Sequence, residues 1–138
     1  MYNIHQTHFL IEKHLEQRLT ETGNISFSQF LVLIPLRYRE HASQTDIASA
    51  LFLTDATVSR HMSTLTEEGL LTRKEDPENR RKHILTLTAK GIKAFTEAQT
   101  VIEQVLEDAF QGVPLKDRAV VNSAFDQITR HLLTKVSS

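Results

Sequence analysis

Cysteine is absent from the 138 residues, and glycine and proline occur only four and three times. Without cysteine the chain cannot form a disulfide bridge, bind a metal through a thiolate or sense oxidants through a thiol. Because glycine and proline are the main breakers of helices and strands, so few of them leave little room for long loops. We therefore expect most of the chain to fold into regular secondary structure.

A strong charge of either sign is also missing, since the formal net charge is −1. Any binding of nucleic acid must then depend on a local basic patch rather than on the whole surface. Residues 71–93 contain seven basic and three acidic side chains, whereas residues 94–138 contain four basic and six acidic ones. Length and a hydrophobic content of 40% fit one compact domain or a small two-lobed one.

Long hydrophobic runs are the third feature that the sequence lacks. The longest apolar run near the N-terminus is Phe9–Ile11. This pattern fits neither a signal peptide nor a membrane span, so we expect a cytoplasmic protein without membrane contact.

Apolar residues near the N-terminus recur at helical spacing and predict a first helix over about 4 to 20, ended by Gly23-Asn24. Ser26 and Gln29 have the spacing of a capping box and predict the start of a second helix. Pro35 lies inside that helix, where we expect a kink or a local break. The apolar stripe expected on its inner face consists of Phe27, Phe30, Leu31 and Ile34.

Two short helices should follow, the first capped by Ser43 with Asp46 and the second capped by Thr54. The inner face of the second is predicted to carry Val58, Met62 and Leu65. Its outer face carries small, polar or basic side chains, namely Ala56, Thr57, Ser59, Arg60, His61 and Thr64.

After Gly69 the apolar period changes from 3.6 to 2, which predicts two short strands around the turn sequence Asp76-Pro77-Glu78-Asn79. Thr88 then caps a long helix over roughly 89–111, and Gly112-Val113-Pro114 separates it from a last helix over about 115–134. The apolar face expected on the long helix consists of Ile92, Phe95, Ile102, Leu106 and Ala109.

Two short capped helices, the second with an apolar inner and a polar-basic outer face, are typical of a helix-turn-helix. A recognition helix buries one stripe against its domain while its first turns offer donors to base edges in the major groove. Arginine can bond guanine in a bidentate manner, and small side chains allow close approach. Guanidinium groups on the hairpin could reach a neighbouring minor groove, where the negative potential is enhanced.

The segments SQTDIASALFL (43–53), TDATVSRHMSTLTEEGLLTR (54–73) and KEDPENRRKHILTLTAKG (74–91) resemble the multiple-antibiotic-resistance-regulator (MarR) family. The ordered set T-x-x-x-V-S-R, E-G-L-L-x-R, D-P-E-x-R-R and L-T-x-K-G is the specific part of the resemblance. The flanking helices agree in number, length and order. The implied fold is mainly α with a small β-hairpin wing, a winged helix-turn-helix flanked by helical dimerisation elements.

The resemblance also implies a domain layout and an assembly. Residues 26–91 would form the winged DNA-binding domain. Residues 1–25 and 112–138, with part of helix 89–111, would form the dimerisation region. Two chains would interlock through their first, fifth and sixth helices and bind a palindromic double-stranded DNA operator. We therefore expect a homodimeric transcriptional regulator, a repressor released by a small-molecule effector.

Residues of the recognition helix, Asp55 to about Glu68, are carried over from the family by position. Arg81 matches the arginine at the tip of the wing, placed in the minor groove, and Arg73 and Lys82 would contact phosphates. Asn79 departs from the family pattern, which usually has an aspartate that pairs with that arginine; Asp76 or Glu78 could substitute. All residues assigned to DNA contact are Ser43, Gln44, Thr54, Asp55, Ala56, Thr57, Ser59, Arg60, His61, Arg73, Arg80, Arg81 and Lys82.

Three other interpretations have less support in the sequence. A winged helix used only for protein contact often lacks a basic wing, and this chain has one. An enzyme is disfavoured, since the sequence has no glycine-rich phosphate loop, nucleophile elbow or paired-carboxylate motif. His5, His8 and Glu12 share one helical face, but nothing in the sequence supplies a clear fourth metal ligand, so we expect no metal and no cofactor.

Overall fold

A computed structural model describes residues 2–39, 42–80 and 83–136 of the chain. Within them lie six helices and two strands, in the order that the sequence predicts. They are α1 (Tyr2–Glu21), α2 (Phe27–Tyr38), α3 (Gln44–Leu51), α4 (Asp55–Glu67), β1 (Leu71–Glu75), β2 (His83–Leu87), α5 (Ala89–Phe110) and α6 (Leu115–Val136). The strands pair antiparallel, with Leu71 opposite Leu87 and Glu75 opposite His83. The predicted winged fold is confirmed.

Contacts divide the chain into two compact units, Met1–Val105 and Leu106–Ser138. The first unit holds the core, in which the side chains of Leu19, Leu33, Ile47 and Leu65 have no exposed surface. The second contains the end of α5 and all of α6, a helix with no buried residue among those described. The assignment of 26–91 to DNA binding and of 1–25 and 112–138 to dimerisation stays a prediction.

Local capping explains where several elements begin and end. The Ser26 hydroxyl accepts from the backbone N–H of Gln29, and the Gln29 side chain accepts from the N–H of Ser26, so the predicted capping box is confirmed. At the end of α1, Gly23 adopts φ +67°, and the N–H of Asn24 donates to the Leu19 carbonyl. This left-handed cap is the one that the Gly-Asn pair predicts.

Helix α2 differs from its predicted form in two respects. It continues through Pro35 to Tyr38 without a break. Its buried face is also broader than the predicted stripe, because α2 contacts α1, α3, α4 and β2. Val32, Leu33 and Leu36 are buried with Phe30, while the predicted core positions Phe27, Leu31 and Ile34 are half-buried.

The predicted inner face of α5 is likewise only partly right. Phe95 and Ile102 are buried, but Ile92, Leu106 and Ala109 are exposed. The buried face also includes Ala98, Val101 and Val105. Phe95 stacks on Phe30 with ring centroids 4.7 Å apart, which joins α5 to α2. None of the helices in the described part of the chain is long and apolar enough to cross a membrane.

Candidate nucleic-acid interface

The short helices α3 and α4 each begin at a hydroxyl cap. The Ser43 hydroxyl accepts from the N–H of Asp46 at 3.2 Å and donates to its carboxylate at 2.7 Å. The hydroxyl of Thr54 accepts from the N–H of Thr57, also at 3.2 Å. Gln44 joins the two helix starts, since its side-chain amide donates to the Asp55 carbonyl at 3.2 Å. The first turns of both helices are therefore tied together.

The two sides of α4 differ sharply in exposure. Val58, Met62 and Leu65 are at most 2% exposed and fix the helix to the core. On the other side Ala56 and Arg60 are exposed, whereas Thr57, Ser59 and His61 are half-buried. An apolar stripe held in the core and an outward polar face meet the geometric requirement of a recognition helix.

The cap residue of α4 and two side chains of the helix form a chain of hydrogen bonds. The hydroxyl oxygens of Thr54 and Thr57 lie 2.9 Å apart. The guanidinium of Arg60 donates to the Thr57 hydroxyl at 3.5 Å. Arg60 is thereby linked to the residue that caps its own helix.

The other end of α4 is attached to the start of α5. The Thr88 hydroxyl donates to the Gly69 carbonyl, and the Lys90 ammonium donates to the Glu68 carbonyl, both at 2.7 Å. A cation at the C-terminus of a helix also interacts favourably with the helix dipole. Thr88 further caps α5, because its hydroxyl accepts from the N–H of Gly91. Both ends of α4 are thus fixed by side chains from other elements.

The turn between α3 and α4 has an unusual backbone. Phe52 adopts φ 54° and ψ 34°, the left-handed region that glycine occupies at low cost. The N–H of the next residue, Leu53, donates to the Ala48 carbonyl and closes the C-terminal cap of α3. Phe52 is 64% exposed, so packing of its ring does not offset the backbone strain.

The wing presents basic side chains on β1 and beyond its turn. Arg73 is exposed on β1 opposite Leu85, and Arg80 is exposed after the turn. The Asp76 carboxylate accepts from the N–H of Glu78 at 2.9 Å and so stabilises the turn. Arg81 and Lys82, to which the sequence assigned minor-groove and phosphate contacts, lie outside the described residues.

The other predicted contact residues are all in the described part of the chain. Ser43, Gln44, Thr54 and Asp55 are brought together where α3 and α4 begin. Neither the Gln44 bridge nor the attachment of α4 through Thr88 and Lys90 was predicted from the sequence. Thr88 and Lys90 belong to the T-x-K-G motif, which could have pointed to that attachment. The carbonyl groups that they bond lie up to 22 residues away in the sequence.

The three candidate metal ligands from the sequence, His5, His8 and Glu12, lie on α1. His8 lies 3.4 Å from Glu12, one turn further along the helix. Across residues 2–39, 42–80 and 83–136, no group of three His, Asp or Glu side chains could hold a metal ion, and this applies to His5, His8 and Glu12.

Comparison with known proteins identifies the family. The family model of the MarR family matches residues 25–83, which span α2 to the start of β2. An uncharacterised HTH-type transcriptional regulator of Bacillus cereus is 30% identical over 122 residues, covering 88% of this chain and 76% of the relative. The chain belongs to the MarR family of DNA-binding transcriptional regulators.

Solved structures of MarR regulators share the fold. The transcriptional repressor CouR, bound to a 23-mer DNA duplex, superposes with a TM-score of 0.84 at 24% identity, covering 93% of this chain and 90% of CouR. The structure of BpsR from Bordetella bronchiseptica concerns the regulation of its DNA binding by 6-hydroxynicotinic acid. It superposes with a TM-score of 0.82 at 24% identity, covering 93% of this chain and 91% of BpsR.

Proposed function

We propose that this MarR regulator is a homodimeric repressor that binds a palindromic DNA operator and is released by a small-molecule effector. The observation that carries the proposal is the two-sided helix α4. Its stripe of Val58, Met62 and Leu65 is held in the core, and Arg60 is exposed on its outer face. In this proposal α4 enters the major groove and Arg60 reads a guanine.

The wing supplies a second set of contacts in the proposal. Arg73 and Arg80 are exposed and face no carboxylate in an ion pair among the described residues. They are therefore available to phosphates. By their match to the family pattern, Lys82 would also contact a phosphate and Arg81 would enter the minor groove. Phosphate contacts release counterions, so each one makes binding more sensitive to salt.

DNA binding is tested by selecting duplexes from random DNA and measuring fluorescence anisotropy across a salt series. We expect Arg73→Ala to flatten the slope of log affinity against log salt by about one unit. Lys116→Ala, an exposed lysine on α6, is the matched control and should leave the slope unchanged. If no sequence is enriched and binding does not depend on salt, the chain is a winged-helix protein-interaction module instead.

The exposed apolar side chains of α6 support the homodimer. Seven of its large apolar side chains are at least 40% exposed, a costly arrangement for an isolated helix in water. They are Leu115, Val120, Phe125, Ile128, Leu132, Leu133 and Val136. A second copy of the same surface would bury them through a two-fold interface.

An effector has a candidate location at the end of α2. An open groove of about 310 Å³ is lined by residues of α2, β2 and α5, with Arg39 following α2. Tyr38 is 67% exposed there, its ring edge-on to Phe95, and the guanidinium of Arg37 lies 5.8 Å from the Tyr38 ring centre. An aromatic surface beside two guanidinium groups suits a planar aromatic carboxylate.

The effector proposal is tested by titrating aromatic carboxylic acids, 6-hydroxynicotinic acid among them, into the protein–operator complex. We expect at least one acid to release DNA, and Tyr38→Ala to weaken that response without changing affinity for DNA alone. Arg18→Ala, an exposed arginine on α1, is the control. A response that survives Tyr38→Ala would place the effector elsewhere.

A further inference from the structure

The hydrogen bond from Arg60 to Thr57 on α4 has a fixed direction. An arginine side chain only donates, so the Thr57 oxygen accepts from Arg60 through a lone pair. The Thr57 and Thr54 hydroxyl oxygens lie 2.9 Å apart, and either one can donate to the other. Thr54 also accepts from the backbone N–H of Thr57. The hydrogen-bond contacts of the Thr57 hydroxyl are therefore made within the protein.

From this geometry we infer that Thr57 is a positioning residue that sets the specificity of Arg60 and does not itself read a base. The inference rests on the proposed function, because it concerns how the recognition helix discriminates between sequences. It changes the sequence assignment, in which Thr57 was a groove contact. Thr57 is half-buried, whereas Arg60 is exposed.

The physical reason lies in the length of the arginine side chain. A free arginine samples many rotamers, and fixing them on binding costs conformational entropy. None of the ion pairs among the described residues includes Arg60, so no carboxylate directs its guanidinium. The Thr57 hydroxyl, three residues earlier on the same helical face, holds the guanidinium near the helix start before DNA arrives. Part of the ordering cost is then met in the free protein.

The experiment uses the full-length protein and a duplex selected from random DNA with the wild type. Each guanine is replaced singly by 7-deazaguanine, which lacks the N7 acceptor, and the loss of affinity is measured by anisotropy. The guanine whose preference disappears in Arg60→Ala is the base that Arg60 reads. Thr57→Val removes the hydroxyl and nearly keeps the shape of the side chain. Its effect on the preference for that guanine is then measured in the wild-type and Arg60→Ala backgrounds.

We expect Thr57→Val to reduce the preference for that guanine about three- to tenfold, the effect of one unrestrained side chain. Thr57→Ser, which keeps the hydroxyl, should restore the preference. Thr64→Val removes a hydroxyl that donates to the Arg60 carbonyl and not to its guanidinium, so it is the matched control and should retain the preference. In the Arg60→Ala background, Thr57→Val should have no further effect.

Three results would overturn the inference while leaving DNA binding intact. Thr57→Val retains the full guanine preference, or it weakens binding equally in the Arg60→Ala background, or Arg60→Ala changes no guanine preference. The second result would mean that Thr57 touches DNA directly. Failure of the wild type to select any sequence is a different outcome, because it contradicts the proposed function itself.

Discussion

Helices α4 and α6 carry similar apolar stripes but have opposite surroundings. Val58, Met62 and Leu65 of α4 are at most 2% exposed, whereas Phe125 and Leu132 of α6 are more than half exposed. Burial of apolar surface is the main favourable contribution to folding, so α4 is stabilised within one chain. Among the described residues, α6 has no buried residue, so its stripe gains much less from burial. The comparison shows that α4 is fixed by its own chain, and it supports the proposal that α4 reads DNA and α6 packs against a second copy.

The largest expected effect tests the first half of this comparison. Leu65→Ala removes a side chain with no exposed surface and leaves a cavity, so we expect the free energy of unfolding to fall by about 2–5 kcal/mol. Urea denaturation at a fixed protomer concentration measures it. Thr64→Ala, the exposed neighbour, should change the free energy by less than about 0.5 kcal/mol. A loss below about 1 kcal/mol for Leu65→Ala would contradict the buried position of this stripe.

The second prediction tests the exposed stripe of α6. Phe125→Glu puts a charge on the exposed stripe of α6, and we expect the dimer dissociation constant to rise at least tenfold, roughly 1.4 kcal/mol or more. Sedimentation equilibrium measures the constant, and circular dichroism checks that helix content is kept. Thr129→Glu is the matched exposed control on α6. A wild type that is monomeric, or a Phe125→Glu variant that dimerises as well as the wild type, would remove the need for a second chain.

A third prediction compares glycines of the two units. A Cβ atom on Gly91 would overlap the Leu70 backbone carbonyl, where α5 approaches the start of β1. Gly91→Ala should therefore lower the free energy of unfolding by about 1–3 kcal/mol. Gly112, after α5, has open space around it and should accept alanine within about 0.5 kcal/mol. Equal effects of the two substitutions in thermal denaturation would show that the close approach is absent.

The smallest expected effect concerns the turn before α4. Phe52→Gly relieves a left-handed backbone conformation, and we expect a net gain of about 0.5–1 kcal/mol, since the greater freedom of unfolded glycine offsets part of the relief. Leu53→Gly, at the next position without a positive φ, should instead lower stability. Chemical denaturation measures the free energy of unfolding of both variants. A loss of stability in Phe52→Gly would mean that the exposed ring contributes more than the strain costs.

Features decided by neighbouring residues could be predicted from the sequence. The caps at Ser26, Ser43 and Thr54 depend on residues no more than three positions away, and the hairpin follows from a change of apolar period. The buried faces of α2 and α5 could not be predicted fully, because they depend on which elements surround each helix. The bond from Lys90 to the Glu68 carbonyl spans 22 residues. No local pattern encodes such a contact.

The candidate site also has features that the sequence predicts and features that it does not. The outward face of α4 follows from periodicity, and the family resemblance supplied the roles of its residues. The contacts of the Thr57 hydroxyl depend on side-chain rotamers of Thr54 and Arg60, which the sequence does not determine.

The stoichiometry of the DNA complex tests the central claim most directly. We expect size-exclusion chromatography with light scattering to give two chains per selected duplex. The selected sequence should contain two inverted half-sites whose centres are about 10 base pairs, or one helical turn, apart. One chain per duplex, or an enriched site without inverted symmetry, would contradict an account in which α4 reads DNA and α6 recruits the second copy.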